Sequence, residues 1–384
     1  MEIEALMEQA TKLKETLVEY ATSPGFARLL SQAMASTSRL ESGQQGHWAE
    51  AVEALLYEPG TGREPLLDRY LRTNRNIAPE DRLVYEGWRD RNVYGAFRVD
   101  KRRGAGLALY NLIDEMDYPT YATVGAEAMG AVPRGGYIVT RLVPMGDIWT
   151  ISGNIRIFGP KDLPAVRALA VSLLEHFPSL VYRNPARAES ARTLVRKHHA
   201  IFVKRFGSHV VRGTGAEAIA AYRGFLDACS AELAPGDPAA AGLVRSGEQL
   251  APDESFPPEL ARSEDVALYH HPVKSVSFLV AYGQVEDAHR TPPTDADDPI
   301  AVLVREFVED STIPPYVLGD LAARYPDTVD AVYRTALSLP EFSWKRDGED
   351  LLRRHKPDGF RDTDLPGITQ VPALLMDEYL QRGQ

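Results

Sequence analysis

The sequence has a single cysteine, Cys229, among its 384 residues. One cysteine excludes an internal disulfide and any zinc site built from several thiolates. It lies in AYRGFLDACSAEL, where apolar residues follow a helical spacing and no basic side chain is placed to lower the thiol pKa. We therefore predict a buried, unreactive thiol.

Long apolar runs are also lacking. None reaches the roughly 20 residues that a membrane-spanning helix needs. The N-terminal stretch MEIEALMEQATKLKETLVEY is acidic and amphipathic, unlike a secretory signal. These absences predict a cytoplasmic protein with no membrane partner. The abundance of alanine, arginine and proline is typical of a GC-rich bacterial genome.

The chain has no excess of positive charge, since its formal net charge is −11. Such a protein repels nucleic acid and anionic membranes as a whole, so binding to either needs a local basic face. With 44% apolar and 25% charged residues, the composition is that of an ordinary globular protein.

The hydrophobic period changes at Val93. Residues 1–92 and 160–233 carry apolar side chains at helical spacing, whereas 93–159 alternate with a period of two. We predict about five short strands in 93–159, forming an antiparallel meander or a small barrel. Its core is predicted to contain six residues on shared strand faces: Val93, Phe97, Val99, Ile151, Ile155 and Ile157.

The second half of the chain is punctuated by prolines and glycines. They interrupt every period in 234–265, which we predict to be a linker or long loop. Residues 266–384 are predicted to hold a possible β-hairpin followed by helices, and 273–284 fit a strand or a helix. The expected fold class is α+β, mostly helical, with one compact antiparallel β unit.

Two glycine-rich stretches resemble phosphate loops. PRGG, with Gly135 and Gly136, lies between predicted strands and lacks the lysine and serine or threonine of a P-loop, so we interpret it as a turn. The other, RGTGAEA, matches G-x-G-x-x-A. There, Thr214 and Glu217 also form a helix capping box, and no second parallel strand with a ribose-binding acid follows. We therefore predict no bound cofactor.

The sequence shows no metal or catalytic signature. The adjacent pairs His198–His199 and His270–His271 each project in different directions on a helix or a strand. The acidic run DADD lacks the alternation of a calcium loop. Asp114 belongs to IDEMD, which we interpret as a solvated charged turn. No G-x-S-x-G elbow is present, so catalytic residues stay unknown and no metal site is predicted.

The strongest candidate for a contact surface is electrostatic. RTLVRKHHAIFVKRFGSHVVR contains six basic residues and no acid. We interpret it first as a helix paired with the protein's own surplus carboxylates, and alternatively as a surface for nucleic acid or an acidic partner. The candidate anion or partner contacts are Arg192, Arg196, Lys197, Lys204, Arg205 and Arg212.

Two phrases together carry a resemblance: the β unit from WRDRNVYGAFRV to RLVPMGDIWTISGNIRIFG, and FVKRFGSHVV before a capped helix. Across about residues 85–225 the chain resembles a poorly characterised group of bacterial proteins in which helices flank a small β unit. Some members end in a cysteine-rich zinc-binding tail like that of the SecA translocation ATPase. One cysteine cannot build that tail, and the resemblance implies no activity.

Three classes of function stay open. A non-enzymatic binding or adaptor protein with a protein partner is our leading hypothesis. Nucleic-acid binding through residues 192–212 is the alternative, and an enzyme of unrecognised type is the third. The sequence does not determine the oligomeric state.

If the basic segment binds nucleic acid, log affinity should fall with log salt by about 0.9 per duplex phosphate neutralised. Reversing the charge of Arg196 and Lys197 should then weaken binding equally for all sequences, because phosphate contacts carry no base information. We expect no measurable binding at physiological salt in a fluorescence anisotropy assay. Submicromolar binding that disappears in the double reversal would contradict this expectation.

Overall fold

The computed structural model describes residues 2–37, 44–60, 63–103, 106–122, 132–232, 250–360 and 365–382. The chain divides into two compact units. The first, Met1–Arg187 with Thr369–Gln384, is called the barrel unit here, and the second, Ala188–Ile368, the sheet unit. None of the described helices is long and apolar enough to span a membrane.

The barrel unit begins with five helices that share one apolar core. Their bounds are α1 Glu2–Ala21, α2 Ala27–Thr37, α3 Gln44–Tyr57, α4 Leu66–Thr73 and α5 Pro79–Arg91. Rings of Tyr20, Tyr70, Tyr85 and Trp88 follow one another edge to face, with centroids 5.0–5.7 Å apart. This geometry adds to the hydrophobic contribution of the buried aromatic area.

Five strands then close into a barrel in the order β1-β2-β3-β5-β4. Their bounds are β1 Val93–Arg103, β2 Gly106–Asn111, β3 Asp117–Tyr121, β4 Tyr137–Met145 and β5 Ile148–Phe158. The small-barrel prediction is thus correct, but the sheet is not purely antiparallel, because β3 and β5 pair in parallel. Each connection reverses the chain, so odd-numbered strands run the same way and must be parallel where they meet.

The barrel core contains most of the predicted residues. Val93, Phe97 and Val99 are at most 1% exposed, and Ile151 and Ile155 pack against them. The prediction is wrong for the sixth residue, Ile157, which is 40% exposed. Ile157 pairs with the buried Ile138 of β4, but β3 pairs with β5 only at Trp149 and Thr150, so this end of β5 has a strand partner on one side among the described strands.

A buried ionic network joins the outside of the barrel to the helices. Arg141 on β4 is 6% exposed and pairs with Glu58 and, at 3.6 Å, with Glu53. Its guanidinium lies 5.0 Å from the ring centroids of both Tyr57 and Tyr94. Buried charges are tolerated only when they are paired and hydrogen-bonded, so this network restricts how the helices can sit on the barrel.

Two predicted turns have different outcomes. PRGG is a turn, as predicted: Gly135 has φ = 72°, and a Cβ on Gly136 would lie 2.6 Å from the carbonyl oxygen of Phe158. The prediction for Asp114 is wrong, because its side chain is fully buried and accepts a hydrogen bond from the Tyr118 hydroxyl. Burial raises the pKa of Asp114. Alternation along the strands does not predict whether the side chains of the turn between them are buried.

The barrel unit continues with helix α6, Leu163–His176. Helix α7, Pro185–Phe206, crosses into the sheet unit, where α8, Gly215–Glu232, follows. Of the predicted loop 234–265, the part up to residue 249 lies outside the described residues, and the remainder includes α9, Pro258–Arg262. The remaining bounds are α10 Tyr282–Arg290, α11 Pro299–Glu309, α12 Pro315–Arg324, α13 Val329–Leu337, α14 Trp344–His355 and, in the barrel unit, α15 Ala373–Arg382.

A second sheet gives the sheet unit its name. It is antiparallel, in the order β6-β7-β8, with β6 Val210–Gly213, β7 Val266–His271 and β8 Ser275–Val280. The structure is 60% helical and 18% strand, so the mostly helical α+β class is confirmed. The expectation of a single β unit is wrong, because β6 lies between two helices and pairs with a strand far along the chain.

Helices cover both faces of the second sheet. Leu268 on the middle strand β7 packs with Phe202 and Phe225 from α7 and α8. Its neighbours Ala267 and Tyr269 lie in a larger core with helices α10 to α14. The possible hairpin in 266–284 is therefore present, and the open choice at 273–284 resolves into a strand followed by α10.

The capping box at the start of α8 is confirmed. The backbone N–H of Thr214 donates to the Glu217 carboxylate at 2.8 Å, and the N–H of Glu217 donates to Thr214 Oγ1 at 3.3 Å. A Cβ on Gly215 would lie 1.7 Å from the carbonyl oxygen of Leu260. The glycine therefore permits close packing against α9, and packing accounts for this part of the dinucleotide-like motif.

Replacing Thr214 by alanine should lower the free energy of unfolding by about 1 kcal/mol, because one helix N–H loses its partner. Urea denaturation followed by circular dichroism measures this change. We expect NAD to leave the melting temperature of the wild type unchanged. A rise with NAD that is lost in Gly213→Ala would overturn the structural interpretation.

Candidate functional site

The predicted basic contacts are largely paired within the sheet unit. Arg192 and Arg196 both pair with Glu189 on the same helix, at 3.2 and 2.8 Å. Lys204 lies 3.4 Å from Glu232. These bonds are exposed and individually weak, yet they reduce the positive potential available to a polyanion.

The other three basic residues have different surroundings. Arg212 pairs with Glu286 at 3.0 Å and with Asp287 at 3.2 Å. The guanidinium of Arg205 lies 5.6 Å from the ring centroid of Phe206, and Lys197 is exposed. Four of the six residues therefore have carboxylate partners. The prediction of one basic helix over 192–212 is wrong in its last part, because α7 ends at Phe206 and Arg212 lies on β6, which pairs with β7.

The two histidine pairs meet across the sheet unit. His199 on α7 and His270 on β7 place their Nδ1 atoms 3.3 Å apart. His270 Nδ1 also lies 3.1 Å from the carbonyl oxygen of His271, so this nitrogen carries a proton and donates. His270 is fully buried, and its Nε2 has no hydrogen-bond partner in the part of the chain that the structure describes.

This environment favours neutral histidine. Burial, followed by the proximity of His199, lowers the pKa of His270 to about 4. The described ranges contain no group of three or more histidine, cysteine or acidic side chains placed to hold a metal ion. Cys229 is buried, as predicted, and burial raises its pKa to about 12, which opposes thiolate chemistry.

A different feature of the sheet unit is open to solvent. A groove of about 690 Å³ lies between α8, α9 and the face of β8. Its aromatic floor consists of Tyr222, Phe256 and Phe278, whose ring centroids are 5.4–6.3 Å apart in edge-to-face contacts. Val280 and Leu250 on its wall are 49% and 41% exposed. An apolar concavity with exposed aliphatic walls is typical of an interaction site.

One side of the groove is a sheet edge. Val276, Phe278 and Val280 occupy alternate positions of β8 and line the groove together. Among the described strands, β8 pairs only with β7, since it is the last strand in the order β6-β7-β8. An edge strand carries backbone donors and acceptors that an added strand can use.

Carboxylates outnumber basic groups on the chain segment 250–264 beside the groove, where Arg262 is the one basic residue. Glu259 belongs to the lining of the groove, and Glu254 and Glu264 are exposed on the same segment of the chain. Arg223 beside them lies 5.7 Å from the Phe256 ring centroid and pairs with Asp253 at 2.7 Å. This side of the groove therefore favours basic groups next to an apolar occupant.

No local pattern in the sequence predicts this groove. Tyr222, Phe256 and Phe278 lie on three separate elements, and each fits the pattern of an ordinary core aromatic. The one indication in the sequence is the alternation of SVSFLV, the second strand of the hairpin. An edge strand with exposed apolar side chains can pair with another strand.

Searches of protein families, curated proteins and solved structures found no match to the chain. The resemblance to the bacterial group described above stays a prediction. The function of the chain is therefore inferred from its own geometry.

The buried histidine makes a pH prediction. Because the pKa of His270 is lowered in the folded state, the unfolded chain binds more protons between about pH 6.5 and 4. The free energy of unfolding should fall as pH decreases through this window, by about 3 kcal/mol for this residue.

Urea denaturation at several pH values measures the slope. His270→Phe should make it shallower, because phenylalanine keeps the ring contacts with Phe202 and Phe225 but does not titrate. An unchanged slope in this variant would show that His270 is not the source.

Proposed function

We propose that the sheet unit binds an extended peptide segment of a partner protein in the groove beside β8. The observation that carries this proposal is that β8, which has β7 as its one partner among the described strands, lines an aromatic groove with its alternate residues. The proposal corresponds to the hypothesis of a binding or adaptor protein with a protein partner.

An extended peptide suits this site because it uses both features. Its backbone can hydrogen-bond to the edge of β8, which supplies affinity without sequence preference. Its side chains then point alternately into the groove and away from it. Small apolar residues at every second position would contact Tyr222, Phe256 and Phe278.

The charges indicate which peptides are preferred. Glu259 lines the groove, Glu254 and Glu264 are exposed on the same chain segment, and the whole chain has a net charge of −11. Lysine or arginine flanking the apolar positions would be attracted to these carboxylates and would speed association at low salt.

The nucleic-acid alternative has less support. Four of the six basic residues that would carry it are paired with carboxylates. The groove itself combines nearby carboxylates with a strand edge, and a phosphate backbone would meet repulsion there.

A fluorescein-labelled peptide with valine and threonine alternating between two pairs of lysines tests the proposal by fluorescence anisotropy. We expect a dissociation constant of about 10 μM. Val280→Glu should weaken binding at least about tenfold, because it places a charge where an apolar side chain docks.

Leu339→Glu is the matched control, because Leu339 is 48% exposed in the same unit and does not line this groove. It should leave binding unchanged. Equal affinity for a peptide whose valines are replaced by serine, or equal loss in both variants, would contradict the proposal.

A further inference from the structure

The hairpin turn that leads into β8 is closed by an imidazole ring. His271 Nδ1 accepts the backbone N–H of Val273 at 3.1 Å and that of Lys274 at 3.0 Å. A nitrogen that accepts two hydrogen bonds carries no proton, so the ring is neutral with its proton on Nε2. A proton added at Nδ1 would point at the N–H groups of Val273 and Lys274, which are themselves donors, and both hydrogen bonds would be lost.

The turn also contains a strained residue. Ser275, the first residue of β8, has φ = 66°, a left-handed conformation that is unfavourable for a non-glycine residue. Ala281, directly after β8, has φ = 60°. The strand that lines the groove therefore lies between two unfavourable backbone conformations. Its turn is held by the accepting imidazole and also by two other hydrogen bonds, from Gly367 N–H to the carbonyl oxygen of Val273 at 3.0 Å and from Lys274 Nζ to that of Leu365 at 2.8 Å.

Several titratable groups surround His271. Lys274 lies on the turn itself, His199 on α7, His209 before β6 and Asp320 on α12. On α12, the Tyr316 ring packs on the imidazole with centroids 4.1 Å apart.

The basic neighbours outnumber the acid. Asp320 is itself held by Arg324 at 3.0 Å and lies 3.2 Å from His209. Burial is the largest cause that lowers the pKa of His271, to about 4, with Lys274 and His199 acting in the same direction and Asp320 opposing them.

We propose that this turn is an acid-sensitive latch on the groove: protonation of His271 removes the acceptor of two backbone N–H groups and releases β8. What the latch regulates, peptide docking, rests on the proposed function. The latch itself does not, because it is a property of the turn.

The size of the effect follows from proton linkage. In the released turn, His271 regains its ordinary affinity for protons, whereas in the closed turn it resists protonation. The ratio of open to closed turns should therefore rise up to about tenfold for each pH unit below about 6.5.

Hydrogen exchange resolved by mass spectrometry or NMR, corrected for the intrinsic pH dependence, tests the latch without any peptide. Protection of the Val273, Lys274 and Leu279 amides should decrease about tenfold between pH 6 and 5, since Leu279 pairs with Ala267 of β7. Val304 and Phe307 in α11 are buried in the same unit and report its global opening. They should stay more protected than the turn at each pH.

His271→Asn separates the roles of the ring. An asparagine carboxamide oxygen can accept from the same turn N–H groups and does not titrate. We expect it to keep protection at pH 7 and to lose the decrease at lower pH, while His271→Ala loses protection at every pH. His176→Asn, in the barrel unit, is the control and should behave like the wild type.

The latch is overturned if wild-type protection of the turn does not change relative to Val304 and Phe307, or if His271→Asn keeps the full decrease. The wild-type measurement decides even where a variant fails to fold. The same peptide binding measured at pH 7 and 5 is a separate arm. A pH-dependent turn without binding at pH 7 refutes the proposed function only, and binding with a pH-independent turn refutes the latch only.

Discussion

A sheet of only three strands in the sheet unit has to bury two apolar faces. The middle strand β7 achieves this, because Leu268 packs against α7 and α8 while Ala267 and Tyr269 pack against the helices on the other side. Helices cover an edge strand less completely, and Val280 stays half exposed. The groove is the part of the sheet that its helices leave open, so it follows from the architecture of the unit.

In the barrel unit, a buried ionic network lies between the barrel and the helices that pack on it. The barrel interior is filled by apolar side chains, but its outer wall meets the helices through Arg141, buried between two tyrosine rings and two carboxylates. Removing one member would leave an unpaired charge out of water, which costs far more than the pair contributes. The network thus favours one arrangement of helices on the barrel, while apolar contacts supply most of the stability.

In the proposed site, two aromatic residues are independent of the hairpin turn and the third belongs to the strand that follows it. Tyr222 and Phe256 belong to α8 and to the segment before α9, whereas Phe278 depends on a hairpin turn closed by His271. A neutral imidazole can hold such a turn at neutral pH and fail in acid, which is a physical property that an asparagine or serine in the same position would not have. In this proposal, binding and its pH dependence are assigned to different residues of one strand and its turn.

Local pattern in the sequence was sufficient for the helices, the capping box of Thr214 and Glu217, the barrel strands and the buried Cys229, because each depends on neighbours a few residues away. Tertiary structure alone decided the parallel β3–β5 pair, the second sheet, the burial of Asp114 and the exposure of Ile157. It also brought His199 to His270 and three distant aromatic residues to one groove. Periodicity shows which side of an element is apolar, but what that side meets depends on contacts between residues far apart in the chain.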